Sequence, residues 1–561
     1  MSRWTTTGTG SDGHRWSTTI DGRQIAWTGL QTGPLTLSRA RVEAICQELL
    51  DCSTDRLTAR SERILRPALG EAARRPALLL HSTTPDLKTY DGDLDALVLG
   101  HRGGDFTTYK EARSVYLGGP DDIAIGRTDA WRAAVEALGA RSIRLEDVDH
   151  YYLSHALLHL AVTHGEHRHR SMDRMVACLR ERPRVVRLYA FELEMQIFLL
   201  WLARTAGVDE LAVEANRPAL SAAWNRKRVL HPTVERAGSL DGLLDLSPAE
   251  RLVVEGRHCE LALDMGIEVP RIPGYTIERD GRSADEMSRQ VVLAAQWLGE
   301  RHGLTTGCLK ASESGDGARI TPGLSLADHD QLAELARRAH VYGDDYVLEA
   351  HVDYGSATLA GQTLPTALSA HIRGGEVASG TTMQFMEGTS WKGNVLVDED
   401  SLDTFSVPTD HYRRLRSFLG DFHGAFRDRA PGLVLAGIDF AIGTVGGHYG
   451  SRPLLGVQDL NVSFTGAECL RAFLDKVRRE RGDAAQPVGV TRIYRPVATA
   501  DHHAFLEITR AFVDDRVVAD TVAAIPGRWG MVGITGDDAE DAIGNLNRLE
   551  RALRTAGLIA A

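Results

Sequence analysis

The chain has 561 residues, with 64 Lys+Arg against 76 Asp+Glu and a formal net charge of −12; it is too long for one hydrophobic core, and its size predicts roughly three or four domains. The acidic balance argues against nucleic acid or an anionic membrane surface as a partner, so any anionic ligand has to be met by a local cluster of cations. The opening residues Met1-Ser2-Arg3-Trp4-Thr5-Thr6 form no apolar leader, the longest apolar stretch is broken by Glu192, Glu194, Gln196 and Arg204, and six cysteines occur with no CxxC; together these predict a cytoplasmic enzyme.

Residues 1–60 alternate Trp, Thr and Gly before a helix predicted over 37–50. Short apolar runs closed by Gly or polar residues then predict buried strands at 77–80, 94–99 and 115–117. A helix carrying Ala134, Val135, Ala137 and Leu138 follows, then a long apolar stripe over 185–206 and a strand at 211–213. Residues 1–215 therefore read as a Rossmann-like α/β domain, and the lack of GxGxxG leaves it without a dinucleotide assignment. His150, His155, His159, His164, His167 and His169 fall close together, but with no third ligand at a metalloenzyme spacing they read as a polar helix face.

A second unit, 216–485, opens at Trp224-Asn225-Arg226-Lys227-Arg228. Ser283-Ala284-Asp285-Glu286 has capping-box spacing ahead of a helix that ends at Gly303. A strand over 305–311 carries Lys310, a loop with Ser314, Gly315 and Gly317 comes next, and a helix over 325–343 leads to a strand from Tyr346. Alternation through 366–396, with a turn at Gly374-Gly375, predicts antiparallel strands. The last unit, 486–561, carries strands near 488–494 and 530–534 and a helix over 539–557, a small α/β appendage.

Lys310 alone reads as a solvated strand-end lysine, and Cys308, two residues earlier, as a small buried hydrophobe. Ahead of a glycine-bearing loop, Lys310 instead suits phosphate, because backbone N–H groups can close over the anion. Asp439, Asp459 and Asn461 are oxygen donors of the kind Mg²⁺ takes. Residues 459 and 461 fall on one face of a strand while Leu460 faces the core.

These residues resemble the ATP-grasp enzymes, and among them the carboxylate–amine ligases with a pre-ATP-grasp domain, such as the pheganomycin-type peptide ligases. The resemblance implies two α+β subdomains that clamp ATP, and activation of a carboxylate as an acyl phosphate that an amine attacks. It implies ATP-phosphate roles for Lys227 and Lys310, and an adenine-facing hinge over 346–352 with Glu349 as polar handle beside Ala350 and Val352. It also implies Mg²⁺ on Asp439, Asp459 and Asn461, and an acceptor site around Ser369–Gly375, Gln384 and Trp391-Lys392-Gly393-Asn394. Three departures stand out: Asp459 replaces a Glu, Val462-Ser463 follow Asn461 where Arg or Pro is common, and Gly437 stands where relatives carry Arg. The missing cation is therefore expected from Arg373, with Lys392 next. Glu387, Asp353 and a phosphate oxygen remain open as the base for the amine.

The expected function is amide or peptide bond formation on an amino acid or amino-acid-like acid in specialised metabolism. Transfer of the acyl phosphate to a non-amine acceptor, and non-catalytic ATP binding, are the alternatives. The expected partners are small carboxylates and amines, with homodimerisation left open.

Overall fold

The computed structural model describes residues 4–8, 16–20, 23–27, 37–85, 106–146, 148, 150–313, 319–340, 344–482 and 488–560. The strand expected over 94–99 and the loop residues Ser314, Gly315 and Gly317 lie outside that set. The architecture is mixed α/β and multidomain: one parallel sheet and several antiparallel ones.

The parallel sheet has six strands in the order Leu65–Pro67, Leu211–Glu214, Val185–Leu188, Ala77–Leu80, Ile123–Gly126, Ser142–Arg144. Ala77–Leu80 and Ile123–Gly126 are buried along their whole length, as strands covered on both faces must be. From Ala77–Leu80 the chain moves outward through two strands and then returns to the other side at Val185–Leu188, so the strand order reverses between these two neighbours. Two expected elements come out differently. Residues 115–117 close the helix Phe106–Tyr116, because Tyr109, Ala112 and Val115–Tyr116 make a helical stripe that a three-residue window hides. The apolar run over 185–206 splits into the strand Val185–Leu188 and the helix Leu193–Ala206. Paired β-branched residues favour the strand, and a continuous apolar run does not by itself declare its period.

A four-stranded antiparallel sheet follows in the order Gly274–Ile277, Tyr346–Ala350, Thr306–Ala311, Ile320–Ser325. Met287, Val291 and Leu298 of helix Ala284–His302 and Leu332 of helix His329–His340 share a core with Tyr275, Leu309 and Leu348 of the sheet. The capping box forms as expected: Ser283 and Glu286 exchange both bonds, and Gly303 ends the helix at φ 68°.

The largest sheet has ten strands. Ala436–Thr444 and Ala367–Arg373 lie near one end, Leu454–Asn461 pairs with Ala436–Thr444, and the C-terminal strands Val488–Tyr494, Trp529–Gly536 and Ala519–Ile525 extend the other end through Ser390–Val397. Phe418 and Phe422 of helix Thr409–Arg429 pack in its main core with Phe440 and Leu460. The helix Ala467–Arg481 lies against the C-terminal strands, its Phe473 filling the space beside Gly533. Among the described residues no helix is long and apolar enough to cross a membrane.

Candidate active site

A β-bulge organises the site. The strands Ala436–Thr444 and Leu454–Asn461 set Asp439 opposite Asp459 and Gly437 opposite Asn461, but Phe440 lies opposite Val457, so Gln458 is an extra residue. A bulge re-aims side chains that would otherwise alternate. Gln458 and Asp459 consequently both reach the lysines expected at phosphate: Lys310 Nζ donates to Gln458 Oε1 at 2.7 Å, and Lys227 Nζ lies 3.0 Å from Asp459 Oδ2. Leu460 is buried beneath them.

Each lysine arrives on a fixed support. Lys227 begins the short turn Lys227–Leu230, pinned to the end of the Lys310 strand by Lys227 N–H to Ser312 O (3.0 Å) and Arg228 N–H to Ser312 Oγ (3.1 Å). Lys310 lies on the buried strand Thr306–Ala311 and forms an ion pair with Glu349 of the adjacent strand. Glu349 also meets His231 Nε2 at 3.0 Å, and Arg271 donates to His231 Nδ1 at 3.2 Å. Burial disfavours the Lys310 charge, but the Glu349 carboxylate beside it overrides that and holds the lysine above its ordinary range. Burial likewise works against ionised Glu349, and Lys310 with His231 outweighs it, leaving the carboxyl below its ordinary value. Burial lowers His231, so this ring is neutral, donating from Nε2 to Glu349 and accepting from Arg271 at Nδ1.

The acids are held differently. Asp439 accepts from the Ser369 hydroxyl and from Gln384 Nε2 (2.7 Å) at one oxygen and from Asn461 Nδ2 (3.2 Å) at the other. Burial, and then the facing charge of Asp459, push its carboxyl up to about 7. A half-buried acid pair with the Asn461 amide beside it fits a hard cation, and Mg²⁺ commonly takes one or two carboxylates and completes its shell with phosphate oxygens and water. Among the described residues no group of three or more His, Cys, Asp or Glu is disposed to hold a metal, so a cation held by these two carboxylates would need further oxygens from outside the protein.

The other expected residues divide. Glu349 is tied to Lys310 and His231, Ala350 N–H donates to Pro273 O at 2.8 Å, and Val352 is buried. Arg373 is not brought to the acid pair. It lies four residues along the strand from Ser369, about 13 Å at the usual rise, and its guanidinium binds Glu468 at 2.7 Å and Asp475 at 3.5 Å. Lys392 is held 3.3 Å from Glu387 near the outer end of its hairpin. The glycine at 437 has a local cause: a Cβ there would stand 2.3 Å from the Thr465 methyl, so no arginine fits. His231, Arg271 and Gln458 join the site without any signal in the sequence, since each reaches its partner across a long separation or through the bulge.

No family model matches the chain, and no curated protein is similar to it in sequence. Among solved structures it is similar to the ADP complex of N5-carboxyaminoimidazole ribonucleotide synthetase, at 12% identity and TM-score 0.43 over 87% of this chain and 98% of that one. It is similar to the biotin carboxylase domain of the Hydrogenobacter thermophilus 2-oxoglutarate carboxylase (12%, TM-score 0.42, 86% and 90%). It is also similar to the L-amino acid ligase from Bacillus licheniformis (10%, TM-score 0.36, 77% and 97%).

Proposed function

We propose that this chain is an ATP-dependent carboxylate–amine ligase of the ATP-grasp type. It transfers the γ-phosphoryl group of ATP to a carboxylate oxygen, and an amine then displaces phosphate from the acyl phosphate to form an amide. The observation that supports this most is the meeting of two buried lysines from the four-stranded sheet and its flanking turn with the bulged strand of Asp459 and Asn461. Such a reaction gathers anions, so its catalysis is positioning and charge neutralisation.

Lys227 and Lys310 would exchange Asp459 and Glu349 for phosphate oxygens. Asp439, Asp459 and Asn461 would hold Mg²⁺, which neutralises phosphate charge when bound. The hinge at Glu349, Ala350 and Val352 would face adenine, with Ser314, Gly315 and Gly317 over the phosphates. We assign stabilisation of the transferring phosphoryl to the two lysines first. Arg373 and Lys392 would have to leave Glu468 and Glu387 to share in it. The units in this reading are 1–215, 216–485 and 486–561, and the substrate is an amino acid or amino-acid-like acid of specialised metabolism.

The test is ADP and phosphate release from the full chain with MgATP, pools of amino acids and an amine, alongside hydroxylamine as a trap. Amide formation, with hydroxamate when hydroxylamine replaces the amine, is the expected result. ADP release that yields hydroxamate but no amide with any amine would redirect the acyl phosphate to another acceptor. No ADP release with any acid would overturn the reading.

A further inference from the structure

The carboxyl ends of Ala77–Leu80 and Val185–Leu188 are neighbours at the point where the order of the parallel sheet reverses. In open α/β sheets the crevice at such a point is where ligands bind. His81 and Thr83 follow the first strand here and Tyr189 the second, helix Phe106–Tyr116 contributes Tyr109, Lys110 and Arg113, and Phe464 closes the group.

The Arg113 guanidinium has no carboxylate beside it among the described residues. Arg113 is 1% exposed, and its guanidinium carbon stands 5.2, 5.1 and 5.3 Å from the ring centres of Tyr109, Tyr189 and Phe464. Its Nε and one Nη have no hydrogen-bond partner, and neither do Nδ1 of His81 and Oγ1 of Thr83, all of them buried. Lys110 Nζ lies 3.7 Å over the Tyr189 ring. The groups that act on Arg113 are Cys469, Tyr109 and Tyr189, with no carboxylate among them. Aromatic faces soften the desolvation of a guanidinium but do not replace a counter-ion. Burial, and then the Arg113 charge, push His81 well below its ordinary value. Other buried arginines are answered by acceptors: Arg301 by Glu255, and Arg184 and Arg251 by backbone carbonyls.

We propose that this end of the parallel sheet is a second ligand site that takes the carboxylate of a small organic acid, with the Arg113 fork as its bidentate partner, His81 and Thr83 as further polar contacts, and the rings of Tyr109, Tyr189 and Phe464 excluding water. A planar two-oxygen anion matches the fork geometry. Phe464 follows Asn461 by three residues, a span of about 10 Å at most, so the bound acid would lie near the candidate metal ligands. That the acid is the substrate to be activated rests on the function proposed above; that it binds does not.

The experiment is titration of the full chain, without nucleotide, with L-alanine, L-glutamate, benzoate and inorganic phosphate, read by calorimetry and thermal shift. At least one of the carboxylates is expected to bind, its Kd rising tenfold or more in Arg113→Gln and staying within threefold in Arg338→Ala, on the exposed face of helix His329–His340. Phe464→Ala, expected to weaken the same ligand at least threefold, decides the matter if Arg113→Gln does not fold. The proposal is overturned if no carboxylate binds the wild type, if phosphate alone binds, or if the folded variants bind as the wild type does. Carboxylate binding lost in Arg113→Gln, in a chain that releases no ADP with any acid, would sink the ligase reading and leave this site standing.

Discussion

Two charge clusters, one at the strand that ends at Asn461 and one at the switch point of the parallel sheet, are balanced in opposite ways. Around the bulge each lysine has its own carboxylate, Lys227 with Asp459 and Lys310 with Glu349. Around the switch point of the parallel sheet, Arg113 faces aromatic rings and, among the described residues, no acid. A self-paired cluster survives without ligand and binds by exchanging partners. An unpaired one is tuned to a ligand whose charge it lacks. Removing one member of the first cluster strands an opposite charge, whereas removing Arg113 strands no carboxylate.

The sharpest way to break the first half of that comparison is at the acids. Asp459→Asn and Asn461→Ala each remove an oxygen donor from the proposed cation site, and turnover should fall on the order of a hundred- to a thousandfold. Both should keep their far-ultraviolet circular dichroism. ADP release close to wild type at ordinary Mg²⁺ would remove the metal role from these residues.

Lys310→Ala should do two separable things. It leaves Glu349, 2% exposed, with only His231 beside it, and stranding one partner of a buried pair costs about 3–5 kcal/mol. It should also weaken ATP binding, since a charge on phosphate acts in ground and transition states alike. The double variant Lys310→Met with Glu349→Gln should recover most of the stability and none of the ATP affinity. If both returned together, the lysine would be a structural residue only.

Arg373→Ala should have a smaller effect on catalysis. Its guanidinium bonds to Glu468, on the first turn of the helix Ala467–Arg481, so the expected loss is about 1–3 kcal/mol of stability, with kcat reduced less than about tenfold. A loss of a hundredfold or more in kcat at unchanged ATP KM would show instead that Arg373 reaches the reacting phosphoryl.

What was legible in the sequence was whatever depends on neighbours in the chain. Ser283 and Glu286 announce their helix because a capping box is a three-residue device, and Asp459 with Asn461 share a face because a strand alternates. The bulge at Gln458 was not legible, since nothing in Val457-Gln458-Asp459 says that one residue will be left unpaired. His231 and Glu349 are 118 residues apart and meet only because turn and sheet fold together. Arg113 is hidden for a plainer reason: the short apolar run over 115–117 reads as a strand, which masks the one-turn spacing of Arg113 from Tyr109 on the helix Phe106–Tyr116.

Asp439 offers the finest test, because it is the one carboxylate of the first cluster held by neutral donors instead of a cation, the mirror image of Arg113. Its carboxyl is pushed up to about 7 by burial and by Asp459, against an ordinary value of 3.8. The folded chain therefore binds this proton more tightly than the unfolded one, and the group's contribution is fully present below pH 3.8 and lost as pH rises through about 7. Asp439→Asn removes that penalty while keeping an oxygen for Ser369 and Gln384; the new amide nitrogen faces Asn461, whose own amide turns over to accept. Without Mg²⁺ or ATP, the Tm of Asp439→Asn should match wild type near pH 3.5 and exceed it at pH 8 by about 1–3 °C, although the variant is inactive. Added Mg²⁺ with ATP should reverse the order, because only the wild type gains the missing cation. A variant less stable than wild type at pH 8 would mean that Asp439 is already compensated inside the protein, and the symmetry with Arg113 would fail.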